Sequence, residues 1–343
     1  MRLGEPQSVK DRLEDFMLNW TNLACGAAAA SMLACGAATA QEWPTRPVTM
    51  LVAFAPGGPI DVLARVIQPY LSEALGQQVV IENQGGGGGS TGSLRVANAQ
   101  PDGYLFTMGS IGTHAINQSM SKRPLYDSLK DFSPVTLVAD APQVLLVRKD
   151  LPANNLREFI AYAKANQAKM QHGSGGTGTS SHMGCVLMNQ TIGVNIIHVP
   201  YRGGGPALQD LLAGRIDFIC NYISTAIGPD QNKTAKVIAA LTTKRTPSFP
   251  NVSTAEEEGL KDFDVSAWNA AFLPKNTPAP IVEKLNAAIS KALDNPELRK
   301  RFDSIGLVAP TPERRGPAYL SKFVASEIKK WEAPVKASGA TID

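Results

Sequence analysis

Side chains that carry chemistry are scarce in this sequence. Four cysteines in 343 residues fall far below the ~8–10% of a disulfide-built scaffold. The four histidines, His114, His172, His182 and His198, lack the spacing of a metal-ligand set, and no second cluster completes one. Charge is close to balance, 33 basic against 30 acidic residues for a net +3, which gives no electrostatic footprint for nucleic acid. Only residues 23–40 form a sustained apolar stretch, so a multi-span membrane protein is excluded. Aromatic residues make up 6% of the chain; what stands out instead is 30 glycines and 24 prolines, the residues of structured turns.

The bulk composition, 43% hydrophobic and 18% charged, is that of a folded soluble protein. At ~150 residues per domain the length suggests about two domains, each able to bury a core. Residues 1–40 read as a targeting segment ahead of them. Leu23 to Ala40 (LACGAAAASMLACGAATA) end in Ala38-Thr39-Ala40, small residues that fit signal-peptidase cleavage before Gln41. The run is too short and too weakly apolar for a membrane span. Glu14 and Asp15 lie close to it, which leaves the translation start open between Met1 and Met17. A lipid anchor on Cys25 or Cys35 is disfavoured, because Asn22 and Met32 stand where a branched apolar residue is needed. Export to an oxidising compartment is therefore expected, and the exported chain keeps Cys185 and Cys220. A bridge between them depends on geometry that sequence does not supply; the reading adopted is two separately buried thiols.

Short β-branched runs alternate with amphipathic helical stretches, which predicts an α/β fold with parallel sheets. Val48 to Phe54 is a buried strand ending at Pro56-Gly57-Gly58-Pro59. In the helix that follows, Val62, Leu63, Val66, Ile67, Tyr70, Leu71 and Leu75 recur at three- and four-residue spacing, and Gly76 stops it. Strands at Val79–Ile81 and Tyr104–Met108 flank a glycine tract and a short helix through Leu94–Ala97. Val135–Ala139 and Val144–Val147 lie back to back around Ala141-Pro142, after which the pattern restarts. Helices at Leu156–Ala165, Met183–Met188 and Ala207–Leu212 then alternate with strands at Met170–His172, Asn195–Val199, Asp217–Cys220 and Lys236–Leu241. Phe263 to Phe272 is extended, and the C-terminal part is helical, with Tyr319, Phe323, Ile328 and Trp331 on one stripe assigned to core packing. Two α/β units joined by extended crossovers near 140 and 265 describe a two-lobed molecule with a cleft. Residues 41–141 plus 267–343 form one lobe and 142–266 the other.

Three strand-to-helix junctions are rich in glycine: Pro56 to Asp61, Gly173 to Ser181, and Tyr201 to Pro206. Each would place free N–H groups and the positive end of a helix dipole at the carboxyl edge of a sheet, an anion-binding device that needs no charged side chain. That edge is also where ligands sit in open α/β sheets. Tight turns, in which glycine only permits the geometry, are the competing explanation for any one junction.

A fourth tract, Gln84 to Gly92, contains G-x-G-x-x-G at Gly87, Gly89 and Gly92, but within a five-glycine run the match is nearly automatic. No acidic residue follows ~20 positions on to bind a ribose, and no Gly-Lys-Ser/Thr forms a phosphate loop. No nucleotide cofactor is expected. Ser180-Ser181-His182 lacks the final glycine of a nucleophile elbow, so neither a catalytic set nor a metal site is assigned.

Taken in order, these residues resemble the Bug-type solute receptors, the periplasmic binding components of tripartite tricarboxylate transporters. The resemblance runs through Trp43-Pro44-Thr45-Arg46-Pro47, VAFAPGGPIDVLAR (Val52 to Arg65), LGQQVVIENQGGGGGSTGSLRVANAQPDGY (Leu75 to Tyr104) and Tyr126 to Phe132. It continues in GSGGTGTSSHMG (Gly173 to Gly184), VPYRGGGPALQDLLAGRIDF (Val199 to Phe218) and AWNAAFLPKNTPAPIVEKLN (Ala267 to Asn286). Ile60 stands where the family often has threonine, which removes one hydroxyl contact, and the glycine tract at 85–89 is longer than usual and is assigned to the surface.

The resemblance implies a periplasmic-binding-protein (Venus flytrap) fold, no enzymatic activity, and a periplasmic protein that captures a small organic acid (carboxylate or dicarboxylate, aromatic acids included) and delivers it to membrane permease subunits. One carboxylate is then expected at Gly57, Gly58, Ile60 and Asp61 of the first lobe and Gly178, Thr179, Ser180 and His182 of the second. The far end of the ligand is expected near Tyr201, Gly203, Gly204 and Tyr222. Arg202 either meets a second carboxylate or is a solvated surface side chain. Two other classes remain open: a receptor that presents its ligand to a sensor kinase, and an enzyme on the same lobes, disfavoured by the missing catalytic set.

Overall fold

The computed structural model describes residues 43–341; the expected targeting segment, with Cys25 and Cys35, lies outside them. The apolar run Val48–Val52 forms β1, buried at four of its five positions. It is an interior strand, with β2 (Val79–Asn83) and β3 (Leu105–Ser110) running parallel on its two sides. Helix α1 (Pro59–Leu75) returns the chain between β1 and β2, turning Ile60, Leu63, Ala64, Ile67, Leu71 and Leu75 inward, and Gly76 in the left-handed region (φ 67°) ends it. Helix α2 (Ser90–Ala97) connects β2 to β3.

Strand β4 (Phe132–Ala141) ends in the first sheet and β5 (Gln143–Arg148) opens the second, with only Pro142 between. The second lobe repeats the plan of the first. It contains α3 (Leu156–Asn166), β6 (Gln171–Ser174), α4 (Ser180–Ile192), β7 (Ile197–Pro200), α5 (Gly204–Leu212), β8 (Phe218–Tyr222), α6 (Ile223–Gln231) and β9 (Ala235–Ala240). The chain then returns through β10 (Ala267–Pro274) to the first sheet and closes with α7 (Ala279–Asp294), α8 (Pro296–Ser304) and α9 (Pro317–Ser338). Both sheets belong to one compact unit that begins at Arg46.

Strand order is β2-β1-β3-β10-β4 in one sheet and β7-β6-β8-β5-β9 in the other. Each sheet is mixed rather than parallel, which corrects the sequence reading. The strand that crosses over from the other lobe, β10 or β5, enters from the opposite side and pairs antiparallel with both of its neighbours. The core of the second lobe gathers Leu145, Phe159, Met188, Phe218, Ile238 and Val265.

Cys185 on α4 and Cys220 on β8 form a disulfide, with Cα atoms 5.4 Å apart. The expectation of two separate thiols is therefore corrected: α4 packs directly over β8 and brings the pair within bridging distance. The C-terminal stripe is also rotated by about one position. Leu320, Val324, Glu327, Trp331 and Val335 are buried, and Tyr319, Phe323 and Ile328 flank them half-exposed. Buried Glu327 has partners on both oxygens: its Oε2 accepts a hydrogen bond from Trp268 Nε1 at 2.9 Å, and its Oε1 lies 3.8 Å from Lys330 Nζ.

Candidate ligand-binding site

The carboxyl ends of β1, β3, β6, β7 and β8 deliver loops to a cavity between the lobes. Its walls are Phe54, Gly58, Pro59 and Ile60 after β1, Ser110 at the end of β3, Gly175 and Thr179–Ser181 after β6, Gly204 after β7, and Asn221 and Tyr222 at the end of β8. None of these carries a charge. The free volume is about 30 Å³, room for two or three waters at ~10–15 Å³ each. The lobes are thus closed, and a larger occupant enters only when they part.

What the cavity offers is backbone N–H. In α1 the first helical bond runs from Val62 N to Gly58 O (3.0 Å); Pro59 has no N–H, and those of Ile60 and Asp61 precede any carbonyl partner. No side chain caps α1 or α5, so the amides at Gly58 and Gly204 are not covered from within. In α4, Thr179 is the N-cap, its Oγ1 accepting from His182 N at 3.3 Å. Ser180 and Ser181 hold the first turn beside the cavity. Three helix starts of opposed lobes therefore face one space, where their dipoles favour an anion.

The loop after β1 is fixed by Asp61. Its Oδ2 accepts from Gly57 N (2.9 Å) and Arg65 Nε (2.8 Å), and its Oδ1 from Asn83 Nδ2 (2.9 Å). Burial alone would raise the Asp61 pKa, but hydrogen bonds from Arg65, Gly57 and Asn83 outweigh it and hold the pKa below the ordinary carboxylate value. Gly57 makes the turn at φ 78°, and its N–H is already committed to Asp61.

Histidines support the corresponding loop of the second lobe from behind. His172, His198 and His182 stack with ring centroids 4.9 and 4.1 Å apart. His182 Nδ1 accepts from Gly178 N (3.3 Å) and His198 Nε2 meets Ser174 Oγ at 2.6 Å. Accepting that bond requires a neutral His182, and burial pushes its pKa down to about 4. Thr179 Oγ1 donates to Gly176 O (2.7 Å), and Gly175 N donates to Ser181 Oγ (3.0 Å). Tyr222 OH and Ser180 Oγ lie 2.8 Å apart, and burial pushes the Tyr222 pKa up to about 12.

Of the residues singled out in the sequence, Gly58, Ile60, Thr179, Ser180, Gly204 and Tyr222 line the cavity. Gly57, Asp61, Gly178 and His182 stand behind it as loop supports. Tyr201 does not line it: its hydroxyl donates to Asp210 Oδ2 at 2.7 Å, and with exposed Arg202 it borders a separate groove. Gly203 sits at the lobe junction, where Ala55 N donates to Arg202 O across the cleft at 3.0 Å.

The surface assignment of the glycine tract is corrected. Gly87 is exposed, but Gly88 and Gly89 are buried, and a Cβ on Gly88 would overlap the Thr177 carbonyl of the other lobe. Sequence reasoning missed Phe54, Pro59, Ser110, Gly175, Ser181 and Asn221. Pro59, Gly175 and Ser181 lie inside tracts it flagged, whereas Asn221 carries no sequence signal at all.

A model of the tripartite tricarboxylate transporter family receptors matches residues 63–340. MatC from Rhodopseudomonas palustris, solved with bound malate, is similar at 40% identity and a TM-score of 0.83, covering 85% of this chain and 100% of its own. The periplasmic binding protein BugD is similar at 35% identity and a TM-score of 0.84, over 87% and 99% of the two chains. A further R. palustris protein, solved with adipate, is 32% identical with a TM-score of 0.83, over 88% and 99%. A family model covering most of the chain, joined to two-lobed neighbours along almost their full length, identifies it: the chain belongs to the tripartite tricarboxylate transporter receptor family, as a Bug-type solute receptor and not an enzyme.

Proposed function

We propose that this protein captures a small organic acid between its lobes in the periplasm and hands it to the membrane permease subunits of a tripartite transporter. One observation carries the reading: the starts of α1, α4 and α5 surround a cavity with no charged side chain in its wall. An organic cation would need carboxylates there, and a phosphate-sized dianion is ordinarily matched by Arg or Lys. A single carboxylate suits amides and helix dipoles alone. Malate and adipate in related structures support the class.

In this reading the amides of Gly58, Ile60 and Asp61 hold the carboxylate from residues 41–141 plus 267–343. Thr179, Ser180, Ser181 and Gly204 hold it from residues 142–266, and Tyr222 bounds the far side. Both lobes share one anion, so binding draws them together. The exported protein begins at Gln41, and an intact-mass measurement on periplasmic protein checks that. The binding reading is tested by thermal shift against a panel of carboxylic acids, amines and neutral amides. A ligand at 100 times its dissociation constant adds ~2.7 kcal/mol to stability, which a melt resolves. Stabilisation by amines alone, or by no acid in the panel, rejects the reading.

A further inference from the structure

Asn221 is 4% exposed, lines the cavity, and its Nδ2 finds no hydrogen-bond partner among the described residues. A buried amide donor left unmade carries a desolvation cost, and it is tolerated where something else completes it. Every other polar side chain in the wall has a partner: Ser180 with Tyr222, Ser181 with Gly175, Thr179 with Gly176, Ser110 with Thr113. Asn221 stands near the end of β8, beside Tyr222, whose hydroxyl pairs with Ser180.

We infer that Asn221 is the specificity-determining residue of the cavity and reads a hydroxyl group on the bound acid, so that hydroxy acids are the preferred ligands; this rests on the carboxylate reading above. An amide presents a donor and an acceptor side by side. A hydroxyl answers both, accepting from the N–H and donating to the C=O, and it does so whichever way the amide is turned. A methylene answers neither and leaves the donor buried and unpaired. A second bare carboxylate accepts from the N–H but opposes the carbonyl oxygen, and no Arg or Lys in the wall offsets that charge.

The test is calorimetric titration of the exported protein with two pairs of acids that differ by one hydroxyl, malate against succinate and lactate against propionate. The parent should bind the hydroxylated member of at least one pair ~10- to 100-fold more tightly, the range expected when a site's polar group loses its partner. Asn221→Ala should bring that ratio below ~3-fold mainly by weakening the hydroxy acid, and Asn221→Asp should lose both acids, because its charge faces the ligand carboxylate. Equal binding of both members by the parent means solvent satisfies the amide and overturns the inference while leaving the carboxylate reading intact. A ratio that Asn221→Ala leaves unchanged in a protein with parental circular dichroism also overturns it. Failure of every acid to bind the parent overturns the carboxylate reading itself.

Discussion

Gly58 adopts φ −82° and ψ 170°, extended backbone open to any residue, so conformation does not explain a glycine there. Proximity does: a Cβ would lie 3.3 Å from both Gly204 N and Gly205 N, across the cleft. Valine at 58 therefore fits the fold of its own lobe and obstructs the space where the amides converge. Charge-assisted hydrogen bonds contribute ~1.5–3 kcal/mol each, and losing one predicts an affinity loss of ~10- to 150-fold for Gly58→Val, with a second lost bond adding to it. Its unliganded melt should match the parent. Calorimetry with an acid that binds the parent, alongside circular dichroism, decides; parental affinity in folded Gly58→Val would remove this loop from the site. Gly228→Ala is the matched control, since nothing lies within 4 Å of that position and its φ is not positive. Gly87 serves less well despite its exposure, because φ 55° strains a β-branched residue.

Individual elements carry two further predictions. The Cys185–Cys220 disulfide ties α4 to β8 across a sequence separation of 35 residues. Loop-closure entropy alone gives such a cross-link about 4 kcal/mol, so replacing both cysteines by alanine should lower the urea midpoint clearly. Acid affinity should change little, because neither sulfur reaches the cavity wall. The histidine stack makes the second lobe acid-sensitive. His172 and His198 are pushed down to about 3 by burial, with added repulsion from their histidine neighbours, and His182 to about 4 by burial. Above the ordinary value of 6.5 both folded and unfolded states are neutral and stability is full. As pH falls from 6.5 toward 4, only the unfolded chain takes up protons, and each histidine withdraws up to ~1.4 kcal/mol per pH unit. Carboxylates such as Asp61, held below 3.8, add their loss nearer that pH and below it, so the upper window isolates the histidines. Urea midpoints measured between pH 6.5 and 4.5 should fall steadily in the parent and less in His182→Gln; a flat parental profile would refute it.

These elements also mark how far sequence goes. The β1–α1 unit was legible to within about two residues, since an apolar run, a glycine turn and a three-four apolar repeat agree with one another. So was the passage from β4 to β5, because Pro142 interrupts two apolar runs that have no room for a loop. Helix α6 was not, since Gly228 and Pro229 stand inside it and both disfavour a helix interior. The antiparallel crossover strands were not either, because strand direction depends on which lobe the chain comes from. Half of the site residues expected from the family resemblance line the cavity; Gly58, Ile60, Thr179, Ser180 and Gly204 also lie in glycine-rich helix starts visible in sequence, whereas Tyr222 came from the resemblance alone. Asp61 and His182 sit in the same loops but face away, and the direction of a side chain depends on local turns such as those at Gly57 and Gly178. Asn221 was invisible for a related reason. One polar residue in a strand is indistinguishable from a satisfied core amide until its missing partner is seen.

At the scale of the whole molecule, closure is built from glycines that let two backbones meet. Ala55 N donates to Arg202 O between lobes, and Gly85, Gly88, Gly203 and Gly205 each lie where a Cβ would strike the opposite lobe. Gly205 separates closure from folding most cleanly. It occupies the first turn of α5, its φ is not positive, and it is not among the residues of the cavity wall. A Cβ there would lie 2.5 Å from Pro56 O and 3.1 Å from Gly57 C, all backbone atoms that no rotamer change can move aside. With the lobes apart there is no clash, and alanine is the better helix former by up to ~1 kcal/mol. Gly205→Ala should then raise the unliganded melting temperature slightly while weakening acid binding about tenfold or more, because ligand must hold together lobes that no longer seat. X-ray scattering with saturating acid should give a larger radius of gyration for the variant than for the parent. A variant that binds and scatters like the parent would show that these backbones do not need to touch for the receptor to close.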